Sequence, residues 1–375
     1  MNIVVLGATG SIGGCSLRVI RSLGFKILGI SGGKNIDLLE AEARKYLPLV
    51  VAIADENKFF ELKDRLKDLP CKVLGGQSGI LELASLKEAD RVIIAISGAA
   101  SLLPTLYAIR AGKDVCLASK EAFVLAGEIL KKEALKRNTS IIPIDSEHSA
   151  IFQCIYGNEK PERIILTASG GPFLNRETLN DITPEEALAH PIWMMGRRIT
   201  IDSSTLMNKA FEIIEASYLF DIDVEKIDVV IHPESIIHSM VEFSDGSVLA
   251  QMSVPDMSLP IAYSLTFPKR GKRMVSSLNL SKIGSLSFKK PDLERFPSIE
   301  FGFNAKRIGG TMPSVLNAAD EVCVENFLEK KISFNKIFEN VKKTLESHIP
   351  KKDPTIDEIL EADAWARNYV KCLHQ

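Results

Sequence analysis

Asp145 and Glu147 stand two residues apart where the apolar run IIPI ends, with Ser146 between them and His148 after. Two carboxylates this close either share a proton or share a cation. All-oxygen ligation of this kind suits Mg²⁺ or Mn²⁺, and Mg²⁺ commonly takes one or two carboxylates and keeps several waters. If the strand persists through the pair, side chains at i and i+2 point the same way. An Asp in front of Ser146 is equally a favoured helix cap, so spacing leaves a cation site and a solvated cap both open. His148 is a further donor, although hard cations favour oxygen.

A second polar set lies in LMNKAFEIIEASYLF. Asn208, Glu212 and Glu215 fall at i, i+4 and i+7, one stripe on an otherwise apolar helix. Such a stripe is ordinarily a solvated face, and that is the default here; the alternative is a third cation ligand. Asp202-Ser203-Ser204-Thr205 precede the helix, and Lys209 falls in its first turn, where its charge opposes the helix dipole. A bound anion would relieve that conflict. Hydroxyls, an amide, an ammonium and open N–H groups together suit a phosphate. Ser169-Gly170-Gly171 is either a second anion-binding loop or a simple turn. His190 and Trp193 lie in a loop (190–198) rich in Pro, Trp and Met that ends in Arg197 and Arg198, a composition resembling an active-site lid. His232 and His238 lie on strand-like segments, His232 in a packing role.

The N-terminus carries a third motif. VVLGATGSIGG places Gly7, Gly10 and Gly13 between the first apolar run and the first helical stretch. Glycines there allow a tight turn and close approach to a pyrophosphate, which the helix N-terminus then holds. An NAD site usually adds Asp or Glu about 20 residues on, for the ribose 2′-OH. Here that region reads Ser31-Gly32-Gly33-Lys34-Asn35, with a cation and no carboxylate. NADP(H) is the expected cofactor.

These groups need a scaffold. Residues 1–148 alternate helical stretches with seven Val- and Ile-rich runs: NIVVLG, FKILGIS, LVVAIAD, CKVLGG, RVIIAIS, DVCLAS and SIIPID. Runs without polar alternation read as parallel strands covered on both faces. Together they predict an α/β protein opening with a doubly wound parallel (Rossmann-like) sheet. Residues 149–285 read as a second α/β, catalytic domain. Its expected strands are RIILTAS, RITID, IDVVIHP, SIIHSMVEFS and GSVLAQMSV, with a hairpin turn at Asp245-Gly246 and a helix from about 206 to 220. Residues 286–310 are expected to be a linker. Three helical patterns in 311–375 predict a small helical C-terminal domain.

Composition narrows the function classes. The net charge is −2 and hydrophobic residues make up 46%. That balance gives no basic face for nucleic acid, and no apolar run reaches membrane-spanning length. The chain goes straight into a strand with no basic leader, so a cytoplasmic protein is expected. Six scattered cysteines without a C-x-x-C pair exclude a disulfide framework or zinc cluster. Cys116 and Cys323, inside apolar runs, read as small core hydrophobes.

Seven blocks occur in order: GATGSIG from Gly7, ASKE from Ala118, DSEHSA from Asp145, SGGPF from Ser169, HPIWMMG from His190, DSSTLMNKAFEIIEA from Asp202 and IHPESIIHSMVEFSDGSVLAQMS from Ile231. Together they resemble the 1-deoxy-D-xylulose 5-phosphate reductoisomerase family. The resemblance runs essentially end to end. It implies a homodimer that uses NADPH and Mg²⁺ or Mn²⁺, with Co²⁺ as an alternative, on a small phosphorylated sugar. The product would be 2-C-methyl-D-erythritol 4-phosphate, in non-mevalonate isoprenoid synthesis. Asp145, Glu147 and Glu212 become the metal ligands, and Glu215 falls to second rank. Lys120, Glu147, His190 and Trp193 become the catalytic set, Trp193 within the lid. Ser146 approaches the substrate beside the metal; Ser169, His190, Ser203, Asn208 and Lys209 bind its phosphate or surroundings; His238 sits nearby. Thr9, Gly10, Ser11, Ile12, Gly33, Lys34 and Asn35 face NADPH, joined by Ser119 and Glu121.

Two positions depart from the family. Ser119 stands where Asn is usual, so one cofactor contact is lost or bridged by water, and Ser101 stands where Gly is common. The implied chemistry is Lewis-acid activation of the substrate oxygens, a retro-aldol and aldol rearrangement, then hydride transfer from NADPH. Glu147 is a candidate for proton transfer as well as ligation. Phosphate binding would supply the energy that closes the lid and excludes water. An NADP-linked dehydrogenase of another phosphorylated substrate, or a silent NADP-binding module, would have no use for three clustered carboxylates.

Overall fold

The structure, a computed structural model, describes residues 1–189 and 196–373. In chain order the first strands and helices are β1 (Asn2–Leu6), α1 (Ser11–Leu23), β2 (Lys26–Gly32), α2 (Ile36–Tyr46), β3 (Val50–Ile53), α3 (Phe59–Arg65), β4 (Lys72–Gly75), α4 (Gly76–Ala84), β5 (Arg91–Ile94), α5 (Leu102–Arg110), β6 (Asp114–Leu117), α6 (Lys120–Arg137), β7 (Ile141–Pro143) and α7 (Ser146–Ile155). There follow β8 (Arg163–Ala168), α8 (Pro184–Ala187), α9 (Arg197–Ser204), α10 (Met207–Leu219), β9 (Ile227–Ile231), β10 (Ile237–Glu242), β11 (Val248–Met252) and α11 (Ser258–Thr266). The chain ends with α12 (Leu280–Ile283), α13 (Ser298–Ile308), α14 (Met312–Leu328), α15 (Phe334–Ser347) and α16 (Ile356–Cys372).

Two compact units result. The first comprises Met1–Ala122, Glu128–Ser149 and Asp256–Ser276. All seven expected runs are strands of one sheet, in the order β4-β3-β2-β1-β5-β6-β7, and every neighbouring pair is parallel. Ile3, Val4, Val5 and Leu6 are fully buried, as are Val92, Ile93 and Ile94. That is why these strands lack polar alternation. Strand order reverses at β1, so the ends of β1 and β5 flank the crevice where open sheets of this kind hold ligands.

Residues 256–276 were expected in the second domain, yet they complete the first unit. Arg91 on β5 donates to the carbonyls of Ser264 (2.6 Å) and Phe267 (2.9 Å), and Cys116 on β6 donates to Ser264 as well. Cys15 of α1 lies 3.5 Å from the Ser258 hydroxyl. No local pattern encodes this, since helix and partners lie between 148 and 243 residues apart. Cys116 and Cys323 are both buried, as expected. Burial pushes the Cys116 thiol up to about 11.

The second unit holds Phe123–Gly127, Ala150–Pro255 and Ser277–Gln375. Its sheet runs β11-β10-β8-β9. β8 pairs parallel with β9 and antiparallel with β10, and β10 pairs antiparallel with β11 as the Asp245-Gly246 turn predicted. Two expectations fail here. RITID is not a strand but lies within α9. Its β-branched residues sit in a helix whose Thr200 hydroxyl donates back to Gly196 (2.8 Å), with Thr200 and Ile201 buried; packing overrides β propensity. The expected linker 286–310 contains α13. That helix buries Ile299, Phe301 and Ala305, and a Cβ on Gly302 would lie 2.6 Å from Ala210 of α10. Flanking Ser, Lys and Pro hid a helix that packs through a glycine.

Arg91→Ala should lower the unfolding free energy by about 2–3 kcal/mol, because two carbonyl oxygens lose a charged donor. Urea unfolding followed by circular dichroism measures this; an unchanged midpoint would show that α11 is held by packing alone.

Candidate functional site

The glycine turn follows β1. Gly7 has φ +90, and a Cβ there would lie 2.3 Å from the Ala95 carbonyl oxygen; a Cβ on Gly13 would lie 2.1 Å from the Gly7 oxygen. Both positions therefore require glycine. Gly10, by contrast, meets nothing nearer than 3.4 Å and is exposed. The turn is tied to β2, since the Gly7 and Ala8 N–H groups donate to the Ser31 hydroxyl (3.1 Å) and carbonyl (2.7 Å). A cradle free of Cβ atoms at the start of α1 fits a pyrophosphate.

Gly33, Lys34 and Asn35 are exposed beyond β2. Asn35 also caps α2, its side chain accepting from Leu38 N–H at 2.9 Å. On the far side of β1, the Ser119 hydroxyl donates to the carbonyl of Ile96, and Glu121 accepts from Gly98 N–H at 2.7 Å. The Ser119 hydroxyl is thus engaged with backbone. Ser101 is buried and donates to the Gly98 carbonyl at 2.7 Å.

The DSEH cluster belongs to the first unit. β7 stops at Pro143 and α7 starts at Ser146, so the strand does not persist through the pair. Asp145 stands at the mouth of a helix and Glu147 in its first turn. Both features weighed from spacing are therefore present: a helix start, and two carboxylates whose oxygens lie within 4.8 Å of each other. Lys120, first residue of α6, is ion-paired with Asp145. The Ser146 hydroxyl donates to Glu147. His148 is buried, with Nδ1 3.4 Å from Asp145. Oxygen donors in this density fit a hard divalent cation.

The second unit assembles the anion-binding candidates. β8 ends at Ala168, and the chain then turns through Ser169, Gly170 (φ +86) and Gly171 (φ +67). A Cβ on Gly171 would lie 2.7 Å from the Ser203 carbonyl oxygen, so glycine lets this turn rest directly on the end of α9. Ser203 and Asn208 are half-buried. Lys209 donates to the Thr167 carbonyl and to Glu212, and Asn208 donates to Glu212 at 2.5 Å. Glu212 and Glu215 are buried, so the polar stripe of α10 is not a solvated face. Helices α9, α13 and α14 all pack on α10. Lys209 finds its counter-charge within the chain, at Glu212.

His232 packs as expected. Its Nε2 accepts from the N–H groups of Ile236 and Ile237, both at 3.1 Å, which places the proton on Nδ1 toward the Ser287 carbonyl at 3.0 Å. His238 bonds the Ser253 hydroxyl at 2.8 Å. His190 and Trp193 lie outside the described residues; Arg197 and Arg198, read as the end of that loop, open α9. Sequence reasoning missed a buried group around Asp320, which faces Asp202 and Arg198. Asn-Ala-Ala-Asp reads as an ordinary helical stretch, and its partners lie over a hundred residues away.

Comparison with known proteins bears on the whole chain. A family model described as 1-deoxy-D-xylulose 5-phosphate reductoisomerase matches residues 3–127, and that family's C-terminal domain matches residues 141–220. A DXP reductoisomerase C-terminal domain model matches residues 252–369. The 1-deoxy-D-xylulose 5-phosphate reductoisomerase of Thermodesulfovibrio yellowstonii is 49% identical over 375 residues, covering 98% of each chain. That of Acetivibrio thermocellus is 50% identical over 373 residues, again 98% of each. Among solved structures, the Zymomonas mobilis reductoisomerase in complex with NADPH superposes with a TM-score of 0.92 at 40% identity, over 100% of this chain and 99% of that one. A DOX-P reductoisomerase in complex with NADPH, fosmidomycin and magnesium gives 0.94 at 38% identity, with the same coverage.

Gly13→Ala should weaken NADPH binding by about tenfold or more, ~1.4 kcal/mol at least, because the new methyl displaces the Gly7 carbonyl. Gly14→Ala, whose Cβ meets nothing nearer than 3.9 Å, is the matched control. Fluorescence titration of each variant reads the difference, and equal affinities would remove the glycine turn from the cofactor site.

Proposed function

Because the chain belongs to the 1-deoxy-D-xylulose 5-phosphate reductoisomerase family, we propose that it converts 1-deoxy-D-xylulose 5-phosphate to 2-C-methyl-D-erythritol 4-phosphate, using NADPH and a divalent cation. The observation that carries this is near-half identity along 98% of the chain to reductoisomerases. In this reading Asp145, Glu147 and Glu212 hold Mg²⁺ or Mn²⁺; the cation supplies Lewis acidity toward the substrate oxygens, and NADPH the hydride.

The chain's own residues supply the rest. Lys120 neutralises Asp145 and stands beside the substrate. Ser146 orients Glu147 through its hydroxyl, leaving that carboxylate placed to move a proton. Ser169, Ser203, Asn208 and Lys209 take the phosphate, remote from the reacting carbons, and so provide binding energy for the chemical step. His190, Trp193 and His238 keep the substrate-side roles that the resemblance implies. Thr9, Gly10, Ser11, Ile12, Gly33, Lys34, Asn35 and Glu121 face NADPH. Lys34, with no carboxylate at 31–35, favours the 2′-phosphate. Ser119 shapes the turn through its bond to Ile96 and contributes backbone alone.

Homodimerisation is part of the proposal. β11 is an edge strand, and Val248 and Leu249 on it are 45% and 42% exposed. An apolar edge invites a partner strand or face. Cytoplasmic location is also proposed; no helix among the described residues is long and apolar enough to cross a membrane.

The test is NADPH oxidation with 1-deoxy-D-xylulose 5-phosphate, with and without Mn²⁺, for the wild type and Glu212→Gln. Turnover should need the metal, and the variant should lose a factor of about 100 or more, the upper end for disturbing even an outer-shell partner. Turnover indifferent to chelation and to the substitution would move the chain to a simple dehydrogenase.

A further inference from the structure

Asp320 on α14 is fully buried, and among the described residues no N–H or O–H group donates to either of its oxygens. Asp202 of α9, itself buried with one carboxylate oxygen lacking a hydrogen-bond partner among the described residues, shares a guanidinium neighbour with it. The cation nearest to both is Arg198, also on α9. Arg198 stands 3.7 Å from Asp320 and 3.7 Å from Asp202, while its guanidinium donates to Glu321 and, at 3.0 Å, to Asn317. Arg367 of α16 is shared between Glu321 and Asp363. Cys323, on the same helix, is buried beside Asp320. No charged group of α10, α13 or α15 forms an ion pair with Asp320 among the described residues. Among the described residues, four carboxyl groups thus face two guanidinium groups.

A buried surplus of negative charge is costly, and a shared proton removes it. Two ionised carboxylates cannot bond each other; a carboxylic acid donates to a carboxylate well. Resting on the phosphate-binding reading of Ser203 above, we propose that Asp320 is a positioning residue for the substrate phosphate: its carboxyl group stays protonated, donates to Asp202, and so ties the Ser203 end of α9 to α14. Burial, then the neighbouring Asp202 charge, holds the Asp320 carboxyl well above the usual carboxylate range, in keeping with this arrangement. The folded-state value is the raised one, so the proton's stabilising effect is complete below the unfolded carboxylate range. It is lost as pH rises through the folded value. Loss of the proton sets Asp202 and Asp320 against each other, and the turn at Ser203 shifts.

Two readouts test this. The infrared difference spectrum of wild type minus Asp320→Asn at pH 7 should contain one protonated-carboxyl C=O band that moves in deuterated water. Its absence means an ionised Asp320 and overturns the proposal. In steady state, Asp320→Asn, whose amide still donates to Asp202, should keep the substrate KM within about twofold at neutral pH. Asp320→Ala should raise that KM roughly tenfold, the scale of one lost bond to a charged group, with the KM for NADPH unchanged. Above neutral pH the wild-type substrate KM should climb while that of Asp320→Asn stays flat. An Ala variant with wild-type KM overturns the positioning role. Ser203→Ala run in parallel separates the two readings: if it too leaves KM unchanged, the phosphate assignment is at fault rather than the buried pair.

Discussion

Taking a carboxylate out of water costs several kcal/mol unless a counter-charge or a proton comes with it. Helices in both units bring carboxyl groups inside. In the first unit Lys120 pairs with Asp145. In the second, Lys209 pairs with Glu212. Both lysines sit early in their helices, where the dipole opposes them. A buried carboxylate within reach is what makes those positions tenable. Each pairing also fixes a side chain that the proposed chemistry needs, so stability and function draw on the same contacts. Asp320 is the variation on this theme, with a proton in place of a lysine.

Close backbone approach is the second constraint. Gly7 and Gly13 let the turn after β1 fold tightly against Ala95 and upon itself; Gly171 seats the turn after β8 against Ser203; Gly302 brings α13 onto α10. At these positions a methyl group would meet backbone, not the yielding tip of a side chain. The ligand-facing loops are therefore positioned by contacts between main chains, which rearrange less readily than side-chain packing.

Much of this was legible in the sequence, for reasons that differ by element. The seven Val- and Ile-rich runs announce buried parallel strands because both faces are covered, so composition alone suffices. The Asp245-Gly246 turn marks its hairpin locally. RITID misleads because β-branched residues favour strands until tertiary packing decides otherwise. The α10 stripe misleads because polar periodicity cannot distinguish water from a ring of neighbouring helices. At the site, the spacing of Asp145 and Glu147 offered a carboxylate pair and a helix start as alternatives, and it could not tell that both hold at once. Ser119 showed up as a departure, yet its bond to Ile96 required the crossover between β5 and β6 to be known. Asp320 gave no signal at all, since its meaning lies in Asp202 and Arg198.

The discontinuity of the first unit has a consequence for how the chain is made. β5 and β6 leave the ribosome early, but the carbonyls that receive Arg91 and Cys116 belong to residues 264 and 267. At roughly 5–20 residues per second, those partners emerge on the order of ten seconds or more after the sheet itself. Through that interval the nascent sheet carries an uncovered apolar flank. All of the second unit through β11 is synthesised while it waits.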